Sequence, residues 1–296
     1  MIVDFHVHST ASDGTCTPSE LAEKAKGFAA IALTDHDNCA GVEEFLRRQE
    51  CRRIAGIELS IEPGEGFDKF HLLGLGIDPV NENLKAFLKR ILDGRNDRNA
   101  RIIENFRRLG IEMEFPSQPC DSETLKPCNL LSYAHGEVLA RPHFARWLVD
   151  HGYSADMKEA FARYLLPDSP VETRCYEERW HPPQEDAFRA IHEAGGICVM
   201  AHPKYWCTDW KSTGSDYAAA ERELAALKER GLDGVESLYQ ANTNEENVVF
   251  TRIATKLGYL TTAGSDFHGA NKPTIPLGME VSEEFIAPVL ERLDMV

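Results

Sequence analysis

The sequence predicts an α/β fold, with βα units wound around a parallel sheet or barrel and a helical insertion interrupting them. Three observations predict it. Short β-branched apolar runs alternate with helix-like stretches from the start of the chain to Asp78. The rhythm then stops, and residues 81–166 read as helices with no convincing strand. It resumes with "PQEDAFRAIHEAGGICVMAHP". The expected division is a barrel domain of residues 1–80 and 167–296 and an inserted helical subdomain, 81–166, covering the barrel mouth.

Taken in chain order, "IVDFHV" (2–7) is an apolar run that reads as a buried strand. Residues i and i+2 of a strand share a face, so His6 and His8 emerge together at its carboxyl end. "TPSELAEKAKG" reads as a helix with Thr17 as N-cap, Pro18 in the first turn, Glu20 completing a capping box and Gly27 ending it. Further strands are expected at 30–34, 53–59, 69–77, 197–201, 233–237 and 259–264.

Within the insertion, residues 84–109 hold eight basic and three acidic residues. At helical spacing Leu84, Leu88, Ile91, Ile102, Phe106 and Leu109 share one face, and Arg95 and Arg98 fall in the middle of that stripe. A charge there is costly unless it is paired, snorkels to the surface or faces a polar cavity, and both arginines are read as facing a polar cavity that holds an anion. A break at Gly94 that rotates the stripe is the alternative. Proline and cysteine punctuate residues 116–128. "RPHFARWLVDHG" then reads as a helix with Phe144, Trp147 and Leu148 on its apolar face. Arg141 offers a bidentate fork for phosphate, and His143 a donor to a phosphate or leaving oxygen. Lys204 is a further phosphate candidate.

Bulk properties narrow the function classes. The 296 residues are 43% hydrophobic, enough for a packed core, and no run is long and apolar enough for a membrane span. The eight cysteines form no CxxC pair and no export signal opens the chain, so reduced thiols and a cytoplasmic location are expected. A net charge of −16 argues against nonspecific nucleic-acid binding by the whole surface, although a basic groove remains open as a rival reading.

Metal-binding side chains recur at the strand ends: His6 and His8, then Asp35, His36 and Asp37, then Glu58, His71, His202, Asp266 and His268. In an α/β barrel the carboxyl ends of the strands converge on one mouth, so such residues meet in space. Imidazoles and carboxylates without an obligatory thiolate suit zinc, iron or manganese. These candidates are too many for one ion, and a carboxylate such as Glu58 can bridge two.

With "DFHVHSTASDG", "ALTDHDN", "GIELS", "HLLGLGID", "MAHP" and "GSDFHG" in place, the chain resembles the PHP (polymerase and histidinol phosphatase) family of metal-dependent phosphoesterases. "RPHFARWL", "RYLLPDSPV" and "GSDFHGANKPTIPLG" are most similar to its nucleoside 3′,5′-bisphosphate phosphatases and 5′-to-3′ exoribonucleases. The resemblance implies a distorted (β/α)7 TIM-like barrel with two or three divalent ions (Mn, Fe or Zn). It implies that His6, His8, Glu58 and Asp266 hold one ion, and that Glu58 bridges to a second held with His71 and His202. Asp13, His36 and His268 would hold a third; Asp13 stands where some relatives have His. The stretch 239–243, "YQANT", departs from the "YHPSH" frequent in relatives.

The expected activity is metal-assisted hydrolysis of a nucleotide phosphomonoester, extending to short RNA, with Asp13, His36, Arg141, His143 and His268 at the reacting centre. No membrane and no obligatory protein partner is expected. Histidinol-phosphate phosphatase and a non-catalytic metal-binding PHP module are the alternatives.

Overall fold

A computed structural model describes residues 1–47, 51–62, 70–115, 132–133, 137–205 and 217–295. The chain forms two compact units, Met1–Leu88 with His181–Val296, and Lys89–Trp180. The sequence had placed the insertion eight residues earlier at its start and fourteen earlier at its end, at 81–166.

The first unit carries one eight-stranded sheet. Its strands are β1 (Ile2–Val7), β2 (Ala30–Leu33), β3 (Arg52–Ile61), β4 (Phe70–Leu75), β7 (Ile197–Met200), β8 (Gly234–Tyr239), β9 (Leu260–Gly264) and β10 (Met279–Glu280). The order is β10-β1-β2-β3-β4-β7-β8-β9. The residues after β9 return to β1: Asp266 N–H donates to His6 O and His8 N–H to Phe267 O, each at 2.9 Å. Seven strands thus form a nearly closed TIM-like ring, with β10 on the first residues of β1.

Besides β10, which runs antiparallel to β1, one strand of the ring breaks the parallel order expected from the sequence. β4 runs antiparallel to both β3 and β7. A parallel neighbour needs a crossover of a dozen or more residues, and only residues 62–69 separate β3 from β4. This reversal is the distortion of the barrel.

Helices α1 (Pro18–Lys24), α2 (Val42–Leu46), α6 (Gln184–Glu193), α7 (Tyr217–Glu229), α8 (Asn244–Lys256) and α9 (Glu283–Asp294) complete this unit. The capping box at α1 is present in full, with Thr17 Oγ1 accepting from Glu20 N–H and Glu20 Oε2 accepting from Thr17 N–H. The helix ends at Lys24, and Gly27 supplies the positive φ of 85° that turns the chain towards β2. The core contains Val3, Phe5, Leu73, Val199, Ile286 and Val289, all buried.

The boundary between the units falls inside α3 (Glu82–Arg108), which is continuous through Gly94. Leu84, Ile91, Ile102 and Phe106 are buried as expected, whereas Leu109 lies beyond the helix end and is exposed. The second unit also holds α4 (Arg141–Asp150), α5 (Met157–Ala160) with a π turn (Phe161–Leu165), and a core that includes Phe106, Phe144, Leu148, Tyr164 and Leu165. It is not purely helical: β5 (Ser132–Tyr133) and β6 (Glu137–Val138) pair antiparallel. Strands of two residues carry too few positions for a period-2 pattern to register in sequence. The punctuated stretch 116–128 lies outside the described residues, as do Cys120, Cys128 and Cys207. Among the described residues, Cys16, Cys39, Cys51, Cys175 and Cys198 are free thiols. No described helix is long and apolar enough to cross a membrane.

Candidate metal centre

Six elements deliver the nine side chains to one end of the ring. β1 supplies His6 and leads into His8, and the loop after it supplies Asp13. His36 follows β2, Glu58 sits near the end of β3, His202 follows β7, and Asp266 and His268 follow β9. His71 is at the start of its strand rather than the end. The antiparallel run of β4 resolves this: His71 pairs with Ser60 in β3, and its carbonyl accepts from Ala201 N–H at 3.0 Å. A reversed strand presents its amino end where its neighbours present their carboxyl ends.

Glu58 is the hub. Its Oε2 lies 3.2 Å from His6 Nε2, 3.1 Å from His8 Nε2 and 3.1 Å from His36 Nδ1. Its Oε1 lies 2.8 Å from His71 Nδ1 and 3.3 Å from His202 Nε2. The two oxygens therefore face different sets of imidazoles. Asp266 Oδ1 is 3.4 Å from His8 Nε2 and 3.3 Å from His268 Nδ1. Asp13 Oδ1 is 3.3 Å from His268 Nε2, and its Oδ2 is 3.9 Å from His36 Nε2.

Burial alone would raise the carboxyl of Glu58, but His36, His6 and His71 around it hold it well below the usual range. Asp13 is treated likewise by His36 and His268, and Asp266 by His6 and His8. Burial lowers His8, yet Asp266 and Glu58 raise it to about 9; burial prevails at His36, which falls to about 3.

The donors fit divalent ions. Glu58 Oε2 and His36 Nδ1 are buried and make no hydrogen bond, although imidazole nitrogens and a carboxylate oxygen stand within reach. Buried nitrogen and oxygen atoms that converge without hydrogen-bond geometry are what a cation requires. Three overlapping groups have ligand atoms close enough for one ion each: His8, Asp13, His36 and His268; His6, His8 and Glu58; His36, Glu58 and His71.

Glu236 and Asp4, which set this geometry, were not read from the sequence as site residues, whereas Asp35 was read there as a metal-binding side chain. Glu236, fully buried on β8, receives His6 Nδ1 at 3.0 Å on one oxygen and His202 N–H at 2.7 Å on the other. A carboxylate behind a histidine fixes which nitrogen faces the ion. Asp4 accepts from Ser265 N–H, Ser265 Oγ–H and Gly278 N–H, and Asp35 accepts from Ser9 N–H, Ser9 Oγ–H and Ser12 Oγ–H. Asp35 is therefore a brace between β2 and the loop after β1. The legible signal was a buried acid in an apolar strand, as in "VDF" and "GVESLY". Asp37, His202 and Asp266 have φ of 55°, 29° and 58°, a conformation that costs about 1–3 kcal/mol without glycine and clusters at functional sites.

At the departing stretch 239–243, Tyr239 O–H donates to Asp266 Oδ2 at 2.9 Å, and Asn242 Nδ2–H to Asn247 Oδ1. The Lys204 ammonium is engaged within the chain. It donates to Ala241 O at 2.6 Å and Glu246 Oε2 at 3.3 Å, because Glu246 caps α8 beside it. Its charge braces this loop.

In the second unit Arg95, Arg98 and Asn99 are buried, with Arg98 Nε–H donating to Asn99 Oδ1 and Asn99 Nδ2–H to Leu139 O. Arg141 stacks its guanidinium 5.4 Å from the Tyr176 ring centre, and burial together with nearby Arg95 lowers its pKa. His143 Nδ1 accepts from Ala140 N–H at 2.9 Å, so in the neutral ring the proton is on Nε2.

A model of the PHP domain matches residues 4–113. The chain is 33% identical to a 3′,5′-nucleoside bisphosphate phosphatase of Chromobacterium violaceum, covering 90% of this chain and 87% of that protein. It is 30% identical to a 5′-3′ exoribonuclease of Haemophilus influenzae, covering 90% and 89%. Among solved structures, a C. violaceum amidohydrolase with bound sulfate superposes with a TM-score of 0.77 at 29% identity, covering 99% of this chain and 96% of that one.

Proposed function

The chain belongs to the PHP domain family of metal-dependent phosphoesterases, and from that premise we propose that it acts on nucleotides, releasing the 3′-phosphate of nucleoside 3′,5′-bisphosphates. The observation that carries this reading is the likeness to a bisphosphate phosphatase across nine-tenths of the chain. The exoribonuclease relative supports extending it to short 5′-phosphorylated RNA. The free thiols and a nucleotide substrate support a cytoplasmic setting.

In this proposal the centre is trinuclear, holding Mn, Fe or Zn. One site is His6, His8, Glu58 and Asp266; the second shares Glu58 and adds His71 and His202; the third is Asp13, His36 and His268. When bound, such ions neutralise phosphate oxygens and acidify water. The chain's own part is to fix the directions of the donors. Glu236 holds His6 so that Nε2 faces Glu58 and Asp266. The opposed oxygens of Glu58 keep two sets of imidazoles apart by the width of one carboxylate. Arg95, Arg98 and Arg141 are assigned the phosphate that is not cleaved, and His143 Nε2–H a phosphate or leaving oxygen. No side chain is assigned a covalent bond to phosphorus.

The test compares kcat/KM for adenosine 3′,5′-bisphosphate and histidinol phosphate at one manganese concentration, with the product nucleotide identified. The expected result is preference for the bisphosphate and a product that keeps its 5′-phosphate. Histidinol phosphate carries an ammonium group in place of the second phosphate that the bisphosphate offers to cationic side chains. Faster turnover of histidinol phosphate, or loss of the 5′-phosphate first, would overturn the substrate and leave the phosphoesterase.

A further inference from the structure

We propose that Lys272 is a substrate-phosphate ligand of the metal centre, a role that the sequence reading of "GSDFHGANKPTIPLG" did not assign to it. Its ammonium lies 2.5 Å from Asp266 Oδ2. Asp266 is 8% exposed and Lys272 40%. An exposed ion pair of this kind ordinarily contributes little and has no fixed geometry. Here both partners are fixed. Tyr239 O–H holds the same carboxylate oxygen at 2.9 Å, leaving Oδ1 to face His8 and His268.

The loop that carries the lysine is also pinned. Ala270 N–H donates to Thr15 Oγ1 and Asn271 Nδ2–H to the Asp13 carbonyl, each at 2.8 Å, and Thr15 N–H donates to His268 O at 3.2 Å. Lys272 thus follows a short helical turn (Gly269–Asn271) tied to the loop of another metal-binding residue. An ammonium has three donors and Asp266 engages one. The other two belong to a partly exposed side chain whose ammonium adjoins the candidate metal ligand Asp266. Lys204, the cation first expected in this unit, spends its charge on Ala241 and Glu246 instead. A phosphate oxygen beside the ion at Asp266 is the ligand that three-donor geometry and positive charge select. The inference rests on the phosphoesterase reading but not on the nucleotide.

The experiment titrates inorganic phosphate calorimetrically into the manganese-loaded protein, for wild type, Lys272→Met and Lys272→Arg, with manganese per chain measured on each. The expected result is unchanged manganese content, phosphate binding about 10- to 150-fold weaker in Lys272→Met, and most of that loss recovered in Lys272→Arg. Equal phosphate affinity in Lys272→Met at full manganese content would overturn the proposal. So would loss of manganese in Lys272→Met, which would make the lysine a brace for Asp266 alone. Because the probe contains no nucleoside, a wild type that binds phosphate through Lys272 yet ignores the bisphosphate would sink the substrate assignment and leave this one standing.

Discussion

Glu236 shows how much of the centre depends on a residue that cannot itself be a ligand in this arrangement. Both of its oxygens are engaged, one by the His6 ring and one by the backbone of His202. Glu236→Ala would leave His6 Nδ1 and the His202 N–H buried without that partner and free the His6 ring to rotate. Removal of such an orienting carboxylate weakens metal binding by about 10- to 100-fold. His8→Ala and Asp266→Ala act differently, since each deletes a donor atom that faces Glu58 or its imidazoles. The expected outcome is graded. Glu236→Ala retains manganese at high concentration and recovers phosphate release there, whereas His8→Ala and Asp266→Ala stay metal-poor and nearly inactive. Elemental analysis with phosphate-release assays over a manganese series checks it. Full metal content and full activity in His8→Ala or Asp266→Ala would remove those residues from the ligand set.

Two elements decide where charge can sit. β4 carries His71 to the mouth by running against its neighbours, and the same sequence in a parallel strand would present that imidazole at the opposite end of the ring. α3 carries Arg95 and Arg98 on its buried face without breaking at Gly94. Arg98 meets that burial in part through Asn99, which is itself tied to the Leu139 carbonyl. Arg95→Ala and Arg98→Ala are expected to raise KM for adenosine 3′,5′-bisphosphate by about 10- to 150-fold per essential contact. Manganese content should stay at the wild-type level. Steady-state kinetics and elemental analysis on the same preparations test this, and unchanged KM in both variants would make these arginines structural.

At the scale of the whole molecule, the nine candidate ligands come from sequence positions 6 to 268 and meet only when the ring is closed. An ion that binds this arrangement and not the unfolded chain must therefore stabilise the fold, by about 2.7 kcal/mol at a free concentration of one hundred times its dissociation constant. Thermal unfolding should shift upward with added manganese and downward with chelator. The His8→Ala protein should show a much smaller shift. A wild-type melting temperature indifferent to manganese and chelator would mean that the cluster does not bind the ion in the folded state. The sequence by itself determined the strands, because alternation and apolar runs are local: 2–7 was read to the residue and the other six ring strands to within a few. It also pointed to most of the side chains that gather, because a His or acid at the end of β1, β2, β3, β7 and β9 is visible without coordinates. Only the tertiary structure decided the reversal of β4, the engagement of Lys204 by Glu246, the brace of Glu236 behind His6 and the hold of Lys272 and Tyr239 on Asp266. The contacts of Lys204, Glu236 and Tyr239 join residues distant in the chain, so their partners are selected by the closing of the barrel and no local pattern encodes them.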